Sequence, residues 1–273
     1  MALHAHAVLF AVCTWYFSTG VILYLDGLPA RTFRWSMLGA TALLILALHG
    51  LSASSTDTTP AGAYLAFTFG VLAWAWQEMA FLMAFLTGPR RKACEPGCGG
   101  WRRFGQAIQA VLWHELAIVV GAALVVAASW GGENQVGTWT YMILWAMRES
   151  AKLNVFLGVR NLNEEFLPPH MAVLRSYMTK KPMNLLFPVS VTVAGVVAVV
   201  LVQRAGAPDA FAATGFTFLA TMLVLAIAEH WFLMLPVPFG ELWRWGLRSH
   251  QAGKPTLRVI EGGTALPRTR EVR

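Results

Sequence analysis

Apolar residues come in unbroken blocks separated by short polar links along all but the last part of the chain. Each block is near the ~20 residues that cross ~30 Å of hydrocarbon as helix. The pattern predicts seven helical spans, at about 4–25, 33–51, 61–87, 104–130, 136–158, 184–203 and 210–235. The links carry Ser, Thr, Asp, Gly and Pro, which favour turns over helix. Two connections are longer, 88–103 and 159–183. The expected organisation is a transmembrane domain over 1–238 and a cytoplasmic segment over 239–273. That segment opens on a Trp-rich amphipathic piece, and its last twenty residues read as disordered.

Composition agrees with this pattern. Of 273 residues 56% are hydrophobic and 13% charged, and the mean hydropathy is +0.54, which excludes a large soluble domain. The apolar character continues past the first block, so a signal peptide with a secreted body is not expected. Cys13, Cys94 and Cys98 are too few for a disulfide framework. Cys94 and Cys98, in Cys94-Glu-Pro-Gly-Cys98, would serve as half a zinc site or a redox pair, but the second pair of a structural zinc is missing, and two reduced thiols are the expectation.

Charge sets the expected orientation, because Lys and Arg near span ends stay on the cytoplasmic side. With seven crossings, 18 of the 21 basic residues fall on one face; Arg204 lies opposite, and Arg148 and Lys152 lie within the fifth span. This places the N-terminus outside and the C-terminus in the cytoplasm. The net charge of +7 then serves topology and attraction to anionic membrane lipids, with no need for nucleic acid.

Ionisable groups inside hydrocarbon cost about 2.5 to 3.5 kcal/mol each even on the mildest scale, so they mark the candidate site. They are Glu78 in span three, His114 and Glu115 in span four, Arg148, Glu149 and Lys152 in span five, and Glu229 and His230 in span seven. Counted from the cytoplasmic ends of their spans, Glu78, His114, Glu149 and Glu229 share a layer about 9 to 16 Å deep at ~1.5 Å per residue. Spans three, four, five and seven should therefore turn toward a common polar centre.

Three chemistries fit that inventory. Glu78, Glu115, Glu149, Glu229, His114 and His230 are the ligand types of a di-iron or di-manganese carboxylate centre. Their spacing departs from the usual pattern, because His114 and Glu115, like Glu229 and His230, are adjacent rather than three apart. A purely structural alternative needs no metal: with both histidines protonated, the four carboxylates balance Arg148, Lys152, His114 and His230. The third uses His114 or His230 as axial ligand to the magnesium of a chlorin or to haem iron. The loop Asn161-Leu-Asn-Glu-Glu-Phe-Leu-Pro-Pro-His170 reads as a gate, a docking loop or a helix cap with a Pro-Pro break.

Several segments resemble the PuhE family of multi-span proteins from purple phototrophic bacteria. They include 15–29, Trp76-Gln-Glu-Met79, Thr87-Gly-Pro-Arg-Arg91, Trp113-His-Glu-Leu-Ala117, 151–158, 161–168, 183–188 and Glu229-His-Trp-Phe-Leu233. The resemblance covers nearly the whole chain except the tail. It implies an all-α polytopic protein of the bacterial inner (intracytoplasmic photosynthetic) membrane. It implies a role in assembling or regulating the photosynthetic reaction centre and its core antenna, with those subunits or bacteriochlorophyll as partners. It transfers no catalytic residues. The rival expectation is a membrane-embedded metal-carboxylate oxidase or hydroxylase acting on a hydrophobic pigment, quinone or carotenoid.

Overall fold

The computed structural model describes residues 2–252. The expected disordered tail lies outside the described residues. The described chain is helical: α1 (Ala2–Asp26), α2 (Ala30–Ser54), α3 (Pro60–Leu82), α4 (Gly100–Ala128), α5 (Val136–Leu157), α6 (Leu186–Ala205), α7 (Ala210–Phe232) and a short α8 (Arg244–Ala252). The described residues contain no strand, only one isolated bridge between Val159 and Lys180. Six helices, α1 to α4, α6 and α7, are long and apolar enough to cross a membrane. The remaining long helix, α5, carries Arg148, Glu149 and Lys152 in its second half. Its charges keep it from reading as a span by composition, although it packs among the other six.

Local chemistry sets the ends. Thr59 accepts a hydrogen bond from Gly62 N at 3.1 Å, and Pro60, with no N–H to leave unsatisfied, opens α3. Asp209 caps α7 through Ala212 N at 2.7 Å. Asn184 caps α6, its Oδ1 accepting from Leu186 N and Phe187 N at 2.9 and 3.2 Å, so the helix starts two residues later than its apolar run. The third span is shorter than its apolar block for a different reason. Ala84 takes a left-handed φ of 59°, and Phe85 N and Leu86 N both donate to Ala80 O, so the chain leaves the helix before residue 87.

Helix α3 is the most buried, packed on α2, α5 and α7. Lipid is as apolar as leucine, so close packing and polar links must hold such helices together. At the α3/α5 crossing the backbones nearly touch: a Cβ on Gly70 would lie 2.5 Å from Gly137 O. On the other side Phe67 of α3 stacks on Phe218 of α7 at 4.4 Å, both fully buried, with Phe10 of α1 and Tyr64 edge-on. Outward faces are apolar, as on α6, where Val193 and Val196 are about 60% exposed, suiting hydrocarbon and not water.

The piece after α7 packs back on the bundle. Trp243, 1% exposed, donates its indole N–H to Tyr16 O at 2.8 Å. His250 Nε2 approaches the buried Asp26 Oδ1 at 2.5 Å, and Gly246 meets the backbone of Gly20. The connection between α5 and α6 folds as two 3-10 turns, Glu164–Phe166 and Pro169–Tyr177. Arg103 fastens it, donating to Tyr177 O and Thr179 Oγ1. Asn161 Nδ2 donates to Phe232 O at 3.0 Å and to Leu235 O, so the Asn161–His170 motif is strapped across the end of α7. Cys94 and Cys98 form a disulfide, correcting the expectation of two free thiols. The Glu-Pro-Gly turn, with Gly97 at φ 71°, brings their Cα atoms to 6.4 Å, within bridging range.

Opposite this end, one side chain joins three carbonyls. Asn134 Nδ2, on a residue 2% exposed, donates to Ser54 O, Asp57 O and Gly62 O at 3.0–3.1 Å. Asn134→Ala should lower the thermal midpoint in mild detergent by an amount equivalent to about 2 to 3 kcal/mol, because buried carbonyls lose their donor. An unchanged midpoint would show that the clasp does not contribute to stability.

Candidate functional site

Helix α5 brings most of the intramembrane polar residues together. Successive residues on a helix are about 100° apart, so the cluster 148–154 directs polar groups to several neighbours in turn. Arg148 reaches α3, its Nη2 donating to Glu78 Oε2 at 2.8 Å. Lys152 reaches α4, its Nζ lying 2.6 Å from Glu115 Oε1 and 2.6 Å from Glu149 Oε1 one turn back on α5. It hydrogen-bonds Glu115; its approach to Glu149 lacks hydrogen-bond geometry. Ser150 reaches both α7 and α6, 2.9 Å from His230 Nε2 and 2.9 Å from Ser190 Oγ. Asn154 Nδ2 extends the chain to Ser190, and Asn184 Nδ2 donates to Asn154 Oδ1 at 3.0 Å.

Glu229 lies apart from these links. Its Oε1 accepts the indole N–H of Trp15 on α1 at 2.7 Å. His114 is fully enclosed, its ring stacked on Phe81 at 4.3 Å, and neither ring nitrogen has a hydrogen-bond partner. His230 is satisfied at both nitrogens: Nδ1 faces Ala226 O at 2.8 Å. A carbonyl only accepts, so Nδ1 carries a proton, while Nε2 meets the Ser150 hydroxyl, whose own proton points to Ser190 Oγ. The carboxylates find partners other than the histidines. Arg148 answers Glu78, Lys152 stands between two carboxylates, and neither His114 nor His230 is paired with one.

The six candidate ligands do not converge. Among the described residues no three His, Cys, Asp or Glu side chains form a group able to hold a metal ion. Lys152 occupies the place between Glu115 and Glu149 that a bridging cation needs. The histidines fit a chlorin no better. The His114 nitrogens have no accessible surface behind Phe81, and His230 has both nitrogens engaged. The arrangement supplies cross-bracing between α5 and α3, α4, α6 and α7. Ser150, Ser190, Asn154 and Asn184 belong to it but escape a search for charge, as does Trp15 beside Glu229. The i, i+4 spacing of Ser150 and Asn154 beside three charges was the available signal.

Outside the bundle, the Arg102 guanidinium holds the Glu95 carboxyl below its usual range, with Gln106 and Arg90 assisting. The Glu95–Arg102 and Arg90–Glu95 pairs fix the disulfide loop on the start of α4.

These features define a polytopic helical membrane protein whose most polar helix is paired with polar groups of its neighbours. The chain belongs to the family described as protein of unknown function DUF3623, which it matches over residues 1–254. It is 38% identical over 245 residues to a Rhodobacter capsulatus protein described as an uncharacterized 30.4 kDa protein in the puhA 5' region. That match covers 87% of this chain and 89% of the relative. No solved structure matches the chain.

Lys152→Met should test the bracing directly, since it keeps the stem and leaves Glu115 and Glu149 facing each other without a cation. Removing the cation from this partly exposed pair leaves two carboxylates facing each other, so the variant should lose about 1 to 3 kcal/mol of stability and more of its folded monomer on heating in mild detergent. Lys152→Arg should retain it. Equal survival of Lys152→Met and the parent would show that the triad does not brace the bundle.

Proposed function

We propose that this protein is an integral membrane factor for assembly or regulation of the photosynthetic reaction centre and its core antenna. The observation that carries the reading is the relative described by its place in the puhA 5' region, similar along nearly its whole length. The resemblance to the PuhE family points the same way. In this reading the protein resides in the inner, intracytoplasmic photosynthetic membrane. It crosses seven times, α5 included, with its N-terminus outside and C-terminus in the cytoplasm. Two features support that topology: the basic residues crowd one set of connections, and α5 packs against α3, α4, α6 and α7.

The polar layer then holds the helices in one arrangement, and the protein works by engaging partner subunits. The oxidase reading draws less support. It needs carboxylates and imidazoles around a shared ion, whereas Glu78, Glu115 and Glu149 face Arg148 and Lys152, and Glu229 faces Trp15. Binding of bacteriochlorophyll through His114 or His230 also draws less support, because the His114 nitrogens are enclosed and those of His230 are engaged.

Deleting the gene in a phototrophic host should reduce the near-infrared absorption of the reaction centre and core antenna, and the intact chain should restore it. Unchanged pigment–protein bands in the deletion strain would contradict the assembly reading. About two irons or manganese ions per purified chain would return the metal-centre hypothesis to the front.

A further inference from the structure

The Glu115–Lys152–Glu149 triad is not sealed inside the bundle. Helices α3 and α7 cover the inner side of α5, and α4 and α6 each pack along a flank without substantial contact with each other. The outer side of α5 between them is open. Trp139, Leu153 and Leu157 lie on it at 57%, 39% and 42% exposure. Glu149 shares this stripe, at helical spacing from Leu153 and Leu157. The Glu149 side chain is 33% exposed, and those of Lys152 and Glu115 are 23% exposed. Both flanking helices expose apolar residues, among them Leu116 and Val119 on α4 and Val189 and Val193 on α6, all about half exposed.

A charged ledge among half-exposed apolar side chains is disfavoured against lipid. Its charge is also unbalanced. Arg148 and Glu78 cancel, whereas Lys152 serves two carboxylates, so with Glu115 and Glu149 both ionised the triad stands at a formal −1. Of the two carboxylates, Glu149 has the poorer bond to Lys152 and the greater exposure. A second copy of this chain would bring another −1 to the same face, so self-association through it is repelled. Lipid tails offer no donor. A helix with apolar sides and one cationic side chain satisfies the flanking apolar residues and the excess charge together.

We propose that the α4/α5/α6 face is a docking surface for a transmembrane helix of a partner protein that places one basic side chain against Glu149. This deepens the assembly reading and rests on it for α5 lying in the membrane and for the partner being a membrane subunit. Glu149 lies eight residues from the end of α5, or about 12 Å at ~1.5 Å per residue, which sets the depth of the matching residue.

The test uses the full chain in phosphatidylcholine vesicles, with binding of labelled Leu/Ala-rich transmembrane peptides read by energy transfer. The peptides carry Lys, Ala or Glu at the matched depth. The Lys peptide should bind about tenfold more tightly than the Ala peptide, and the Glu peptide more weakly than either, as charge complementarity requires. Glu149→Gln should erase the preference for Lys. Equal binding of the three peptides to the unaltered protein would overturn the proposal, as would a Lys preference that survives Glu149→Gln or energy transfer between copies of the chain through this face. The peptide comparison on the unaltered protein stands even if Glu149→Gln fails to fold. Failure of the two readings is distinguishable. Normal reaction-centre levels in the deletion strain with an intact Lys preference would remove the assembly role and keep the docking surface. Loss of pigment–protein bands with no Lys preference would do the reverse.

Discussion

A helix with three charges in its second half has to be neutralised before it can sit among apolar helices, and the rest of the bundle answers that constraint. Arg148 and Lys152 receive carboxylates from α3 and α4, and Ser150 and Asn154 connect α5 to α6 and α7. Apolar packing supplies contact area between membrane helices but little choice among rotations about their axes. Directional polar links, each placed at one azimuth on α5, fix those rotations. The close approach of Gly70 and Gly137 fixes the α3/α5 distance nearer the other end of α5. Between them these contacts define how α5 lies against its principal neighbour.

Much of this was legible in the chain. The seven blocks read from the chain each became a long helix, six of them long and apolar enough to cross a membrane, since hydrocarbon permits little besides helix. The ends shifted where side chains competed with the backbone, as at Asn184, or where the chain turned left-handed, as at Ala84. The polar layer was visible as residues out of place, and the structure joins Glu78, Glu115 and Glu149 to the charges of α5. What could not be read was who pairs with whom. Depth is one coordinate, and pairing also needs the angle about each axis. Hence Glu229 turned toward Trp15 and His114 toward Phe81, although their depths matched the others.

The same distinction separates the chemistry from the inventory. Four carboxylates and two imidazoles at one height suggest a metal centre only until cations are counted in the same layer. Lys152 between Glu115 and Glu149 takes the central position, and His230 is occupied by a carbonyl and a hydroxyl. The cysteine pair shows the converse. Its turn was short enough to close, and the expectation of free thiols came from the count and the missing zinc partners, not from the local geometry.

The account's central claim is that specific charge pairs, not polarity in general, hold α5 in the bundle. A double-mutant cycle on Glu78 and Arg148 tests it most directly, with folded fraction in mild detergent measured for Glu78→Arg, Arg148→Glu and the exchanged pair. The account predicts that each single change is strongly destabilising and that the exchange recovers most of the loss, a coupling of about 1 to 3 kcal/mol. Additive losses, with the exchanged protein worse than either single variant, would contradict it.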